Sequence, residues 1–207
     1  MSDVFGRYYK KYDAWYDKHK FAFLSEIEAI KKILPQNEKG LEIGIGTGRF
    51  AARLGIAMGI DPSGKMLKIA QERGAHVCLG LGEDIPFLNE AFGYVAIIIT
   101  LCFVKNPKKV IEEAARVLKK NGKIIIGIVD KESFLGEFYR RKKSAFYTAA
   151  KFLSVKEAAD LLKEAGFARF FYYQTISILP DEMSSVEKPK KGFGQGGFVV
   201  ISGEIPK

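Results

Sequence analysis

Cysteine and histidine are nearly missing from this 207-residue sequence, which has two of each. Cys78 and Cys102 form neither a CxxC nor any other metal-ligand spacing. Each sits in an apolar, strand-like run, where a free thiol behaves as a small hydrophobe. Neither a disulfide nor a bound metal is expected. A long hydrophobic run is also lacking. The longest, Val95–Val104, is about half of what a membrane-spanning helix needs. The opening residues, MSDVFGRYYKKYDAW, hold no apolar centre that could act as a signal peptide. These absences predict a cytoplasmic, soluble protein with no membrane partner. The seven prolines are scattered, no Gly/Ser or Pro tract marks a linker, and nothing repeats, so one domain over 1–207 is expected. Asn and Gln are scarce beside Lys and Glu, a bias associated with thermophilic sources.

What is abundant is apolar residues, at 47%, enough for a full core, and positive charge, at +9 net. Much of the excess falls in Lys131–Lys151, where Lys131, Arg140, Arg141, Lys142, Lys143 and Lys151 face only Glu132 and Glu137. Such a cluster either meets a phosphate or acidic ligand or forms a solvated helix face, and the second is the commoner case.

Along the chain, apolar spacing predicts helix through the first forty residues, with Ile27, Ile30, Ile33 and Leu34 on one face and Pro35 beyond the end. Strands and helices then alternate. Strands are predicted at Gly40–Ile45, Ile56–Ile60, Ala75–Leu81, Tyr94–Leu101 and Lys123–Val129; helices at Arg49–Leu54, Lys65–Glu72 and Pro107–Leu118. Strands apolar on both faces and separated by helices belong to a parallel sheet covered on both sides, with its ligand site at the strands' carboxyl ends. After an aromatic and basic stretch, Val155–Glu164 is again helical. Arg169–Leu179 and Phe198–Ile205 then follow as strands with no helix between them, so they should pair antiparallel. Their connection, Pro180–Gly197, is long and rich in Lys, Gly and Ser, and is expected to be mobile. The expected architecture is three-layer α/β/α, doubly wound, with a mostly parallel seven-stranded sheet ending in an antiparallel hairpin.

The strongest local signal is LEIGIGTGRF at Leu41–Phe50, in which a strand leads into Gly44-x-Gly46-x-Gly48 and a helix. Glycines there permit a sharp turn and close approach of a ligand to the main chain. A dinucleotide fingerprint would place its third glycine where Arg49 stands. Asp61 ends the second strand and is followed by Pro62 and Ser63; its carboxylate can take a ribose or cap the next helix. Gly80–Phe87 reads Gly-Leu-Gly-Glu-Asp-Ile-Pro-Phe, and Phe92–Pro107 and Glu113–Lys123 follow in order.

These segments, covering roughly Gly40–Val129, resemble the motifs of the class I, Rossmann-like S-adenosylmethionine-dependent methyltransferases of the small-molecule, type 11 kind. The resemblance implies S-adenosyl-L-methionine as cofactor, held by Glu42, Gly44, Ile45, Gly46, Gly48, Asp61, Pro62, Met66, Gly82, Glu83, Asp84, Thr100 and Leu101. Leu81 replaces the carboxylate that often takes the adenine, leaving Gly82, Glu83 and Asp84 as candidates for that contact. It also implies a division into an N-terminal helical lid (1–39), a cofactor-binding core (40–129), a substrate-side insertion (130–154) and a terminal helix with antiparallel strands (155–207). The acceptor then lies under the lid and insertion, where Tyr12, Trp15, Phe103, Tyr139 and Tyr147 are candidate contacts.

Methyl transfer from a sulfonium needs alignment and dehydration more than strong acids or bases. Asp130, at the end of the fifth strand, and His19 are the weak candidates for a base. A small-molecule methyl acceptor is the expected partner. Nucleic acid is not: the lack of a Pro-Cys and of a Pro-Pro-aromatic motif argues against a DNA base, and no strand interleaves aromatic and basic residues to stack RNA bases. The competing readings are a nicotinamide-dependent dehydrogenase, which would share the glycine turn and Asp61, and a non-catalytic nucleotide- or RNA-associated protein using the basic insertion. Monomer and homodimer are equally compatible with the sequence.

Overall fold

The computed structural model describes residues 4–206. Two helices, α1 (Val4–Lys18) and α2 (Lys20–Lys31), precede β1 (Gly40–Ile43), α3 (Arg49–Leu54), β2 (Met58–Asp61), α4 (Gly64–Glu72), β3 (His76–Leu79) and β4 (Phe92–Ile98). A 3₁₀ turn at Leu101–Phe103 leads to α5 (Pro107–Val117) and β5 (Leu118–Val129). Then come α6 (Phe134–Arg141), α7 (Ala145–Ala149), α8 (Val155–Glu164), β6 (Ala168–Thr175), β7 (Lys190–Lys191) and β8 (Phe198–Glu204).

The sheet has eight strands in the order β3-β2-β1-β4-β5-β8-β6-β7. The first five strands run parallel, while β8 lies antiparallel between β5 and β6. This is the predicted doubly wound sheet with its antiparallel end. The expected seven strands become eight because Lys190–Lys191 adds a two-residue edge to β6, a segment too short and polar to give a periodic signal. Two cores flank the sheet. One packs α5 and α8 on it through residues such as Val110, Ile111 and Leu162; the other packs α2 and α3 through Ile27, Ile30 and Phe50.

Two expectations need correction. The N-terminal helix is not continuous: His19 has non-helical backbone (φ −109°, ψ 46°) between α1 and α2, and Tyr8 kinks α1 itself. The segment predicted as a mobile loop is strapped down. Glu187 accepts from the Ser177 N–H and hydroxyl at 2.8 and 2.9 Å, while its own N–H donates to Ser25 Oγ at 2.8 Å. Gln174 Oε1 accepts from the N–H groups of Gln195 and Gly196 at 2.7 and 2.8 Å. β6 stops at Thr175 rather than Leu179 because Ile176 takes a positive φ of 64° and turns the chain. Among the described residues no helix is long and apolar enough to cross a membrane.

Candidate active site

The carboxyl ends of β1, β2 and β4 converge on the glycine turn. Gly44 and Gly46 adopt φ of 71° and 56°, where a side chain is strained. Space is closed as well: a Cβ on Gly44 would stand 2.4 Å from Thr100 Cγ2. One on Gly46 would stand 3.4 Å from Met66 Cε and 3.8 Å from the Tyr12 ring. Gly48 serves packing, since a Cβ there would meet the Ala70 backbone of α4 at 3.0 Å.

Asp61 faces this turn from the end of β2 and is buried. Its Oδ2 accepts from the Gly46 N–H at 3.1 Å and its Oδ1 from the Ser63 N–H at 2.8 Å. Burial raises its pKa, and those two N–H groups oppose the rise. Ser63, not Asp61, is the N-cap residue of α4. Glu42 on β1 is buried, with Oε2 lacking any partner, and burial pushes its pKa well up. An orphaned carboxylate oxygen beside a strained glycine turn suits a ligand that brings hydrogen-bond donors to the main chain. A cofactor with an amino acid end and a ribose fits that donor set.

A cleft with about 280 Å³ of empty space opens here, lined by Phe5, Tyr12, Gly44, Gly46, Asp61, Met66, Ile99, Thr100 and Phe103. A second, of about 260 Å³, shares Ile99 and Thr100 with it and runs on through Leu101, Cys102, Ile128, Val129, Phe152 and Leu153. Ile99 sits between the two at φ 50°, an uncommon conformation for a β-branched residue. Thr100 is fixed by donating to the Ile98 carbonyl at 3.0 Å. Burial pushes the Cys102 thiol up to about 12, so the cleft holds no thiolate nucleophile.

α1 lies across the turn. Asp13 accepts from Thr47 Oγ1 at 2.6 Å, from Arg49 Nε at 2.9 Å and Nη2 at 2.7 Å, and from Arg73 Nη1 and Nη2 at 2.9 and 2.8 Å. Asp17 pairs with Arg49 as well. Burial would raise the Asp13 pKa, but the hydrogen bonds from Arg49, Arg73 and Thr47 carry it well below the usual carboxylate range. Sequence reasoning noted Arg49 only as a misplaced glycine and passed over Asp13, Asp17 and Arg73.

The predicted residues separate into groups. Glu42, Gly44, Gly46, Asp61, Met66 and Thr100 gather at the turn, joined by Tyr12 and Phe103, whose ring neighbours Phe5 at 4.7 Å. Ile45 lends its backbone to the turn, but its side chain fills the space over Gly59. Pro62 is half-buried beside Asp61, and Leu101 belongs to the core. Gly82 packs against Ile43 and Val110. Glu83 accepts from the N–H groups of Lys105 and Asn106, and Asp84 is exposed.

Trp15 stacks on His19 at 4.4 Å. Both imidazole nitrogens are engaged, Nδ1 with the Trp15 carbonyl at 2.9 Å and Nε2 with Asp181 at 3.2 Å. Asp130 closes the turn after β5, accepting from the Glu132 N–H. Tyr139 and Tyr147 stack at 4.4 Å and 13°. In the basic insertion, Arg141 pairs with Glu137 and Lys142 lies over the Phe138 ring, while Lys131 reaches Glu157 of α8.

Comparison with known proteins agrees with this geometry. The methyltransferase domain of the type 11 family matches residues 41–126. A Thermotoga maritima crystal structure described as a "SAM-dependent methyltransferase, possible histamine N-methyltransferase" is 45% identical, covers 99% of this chain and 100% of its own, and superposes with a TM-score of 0.97. An uncharacterised protein of Methanocaldococcus jannaschii is 50% identical over 98% of both chains. A ubiquinone/menaquinone biosynthesis C-methyltransferase of Rickettsia peacockii is 27% identical over 99% of this chain and 89% of its own. Nothing among these supports a dehydrogenase. With the glycine turn, Asp61 and the terminal strands all in place, the chain belongs to the class I S-adenosylmethionine-dependent methyltransferases and is an enzyme of the type 11 methyltransferase family.

Proposed function

We propose that this enzyme binds S-adenosyl-L-methionine on the Gly44–Gly48 turn and moves its methyl group to a small-molecule acceptor held beneath α1, α6 and α7. The observation that carries the reading is Asp61, buried with its carboxylate fixed by the Gly46 N–H, facing aromatic side chains of α1 across the cleft. Gly44 and Gly46 let the cofactor approach the main chain, Glu42 takes its amino end and Asp61 its ribose, while Met66 and Thr100 bound it. When bound, this group supplies an electrophilic methyl on a positively charged sulfur.

The residues around it align and dehydrate. Phe5, Tyr12 and Phe103 form an apolar wall at the carboxyl end of β4, where water would otherwise compete. Phe5 and Tyr12 of α1 line the cleft, so an acceptor reaches the cofactor only if α1 gives way. Neither His19 nor Cys102 is available as a base or nucleophile, so the acceptor supplies its own nucleophilic atom. The description of the Thermotoga relative favours nitrogen over the quinone-type carbon of the more distant Rickettsia enzyme.

Calorimetric titration with S-adenosylhomocysteine, with NAD as control, tests the reading. Micromolar binding of the first alone is expected; binding of neither by folded, ligand-free protein overturns it.

A further inference from the structure

Glu42 and Asp61 answer the amino and hydroxyl groups of the cofactor, but its amino acid end also carries a carboxylate, which needs a donor. The described residues lining the cleft include no Lys or Arg, and their polar side chains are Tyr12, Asp61 and Thr100. Asp61 is itself an acid. Thr100 spends its hydroxyl hydrogen on main-chain carbonyls, of Ile98 at 3.0 Å and of Gly44 at 3.4 Å. The main chain of the turn is committed too. The N–H groups of Gly44 and Ile45 go to the Ile60 carbonyl, that of Gly46 to Asp61 and that of Gly48 to the Ile45 carbonyl. Of the lining side chains, Tyr12 alone remains as a donor. Its hydroxyl lies 3.9 Å from the place a Cβ on Gly46 would take. The next residue, Asp13, ties this part of α1 to Thr47, Arg49 and Arg73, so Tyr12 is held over the turn.

The direction of the Tyr12 hydrogen follows from its neighbour. The Tyr12 and Tyr16 hydroxyls bond each other at 2.8 Å, and Tyr16 is 3% exposed with no other hydroxyl partner among the described residues. A buried hydroxyl with one neighbour gives that neighbour its hydrogen, since the reverse leaves a donor unpaired in the core. Tyr16 therefore donates, and the Tyr12 hydrogen is left for the cleft. Burial raises the Tyr12 pKa above the usual phenol range, so that hydrogen stays in place. We infer that the Tyr12 hydroxyl donates to the carboxylate of the cofactor, with Tyr16 as the positioning residue behind it. This inference rests on the methyltransferase reading and deepens it. The contact belongs to α1 and not to the sheet, so α1 reads the amino acid end of the cofactor. A ligand without that carboxylate leaves the contact unmade.

The test is calorimetric titration with S-adenosylhomocysteine and with the same molecule lacking its carboxylate, 5′-S-(3-aminopropyl)-5′-thioadenosine. Native protein should bind the first about ten or more times tighter, the scale of a hydrogen bond to a charged group. Tyr12→Phe keeps the ring in the cleft wall. It should lower S-adenosylhomocysteine affinity by about tenfold and leave the decarboxylated ligand within about twofold. Tyr16→Phe should cost about threefold of the same preference, because the Tyr12 hydroxyl is then free to turn. Equal binding of the two ligands by native protein, a preference that survives in Tyr12→Phe, or equal loss of both ligands in that variant would each overturn the contact alone. An unchanged preference in Tyr16→Phe would overturn its positioning role. Failure of native protein to bind S-adenosylhomocysteine would remove the reading beneath as well.

Discussion

Asp13 on the first helix and Arg49 at the end of the glycine turn are joined by two hydrogen bonds, at 2.9 and 2.7 Å, across 36 residues of sequence. Arg73 of the α4 end completes the grip from the other side at 2.8 and 2.9 Å. α1 is therefore latched to the loop proposed to hold the cofactor, and as the proposed lid it would move together with that loop.

Asp13→Asn should loosen this latch. Charge-assisted bonds to two guanidinium groups in a partly buried site contribute on the order of 2 kcal/mol. Stopped-flow measurement should find S-adenosylhomocysteine leaving about ten times faster, since 1.4 kcal/mol is a tenfold change. An unchanged off-rate would separate the latch from cofactor exchange. The Asp13 carboxyl sits below its unfolded pKa. Its contribution is thus present above about pH 4 and is lost only as pH falls through the folded value.

Glu26, buried on α2 with its Oε2 lacking a partner, should give the opposite slope. Its folded pKa is raised, so the unfolded chain ionises first and stability falls as pH climbs above about 4.3, by up to about 1.4 kcal/mol per unit. Urea unfolding of native protein and Glu26→Gln should show a gap in favour of the variant that widens from pH 5 to 7. Parallel curves would mean that Glu26 is ionised and paired in the fold.

Asp61→Ala should weaken S-adenosylhomocysteine binding by about 10- to 100-fold, the scale of a lost bidentate contact, and leave the circular dichroism spectrum intact. Gly46→Val should abolish binding, because the added side chain meets Tyr12 and Met66 in the space that the ligand needs. Retained affinity in Gly46→Val would place the cofactor elsewhere.

Tyr12 and Trp15 should part company. Tyr12→Ala opens the cleft wall and is expected to lower methyl transfer and acceptor affinity together. Trp15→Ala removes a stack on His19, outside the cleft, and should cost on the order of 2 kcal/mol of stability with turnover little changed. Thermal unfolding and initial rates on both variants decide this.

Cys102 tests the chemistry from another side. With its thiol pushed up to about 12, iodoacetamide at pH 7.5 should leave it unmodified in native protein. Cys102→Ala should keep turnover within about twofold. Rapid alkylation with loss of activity would point to a thiolate at the site.

Much of the scaffold could be read directly. Continuously apolar runs announce strands covered on both faces, and α8 falls on its predicted Val155–Glu164 because Ser154 and Glu157 form a reciprocal cap that sequence spacing reveals. The break at His19 escaped because neither Gly nor Pro marks it; tertiary contacts to Asp181 and Trp15 hold it instead. Glu83 and Asp84 were assigned by likeness to a motif, but Glu83 is consumed by the backbone before α5. Asp13 and Arg73 meet across 60 residues, a pairing no local pattern encodes. Glu26 did leave a trace: it falls three residues after Phe23 and four before Ile30, on the face that is buried.

The position of β8 has a consequence for how the molecule comes into being. Phe198–Glu204 lies between β5 and β6, bonded to both, although it follows both in the sequence. Until those residues emerge, β5 and β6 each lack a neighbour on one side. A nascent chain can complete β1–β4 early, but the sheet closes only once β8 is available, with long-range pairing as the slow step. Loss of Phe198–Glu204 would therefore strike the centre of the fold rather than its margin.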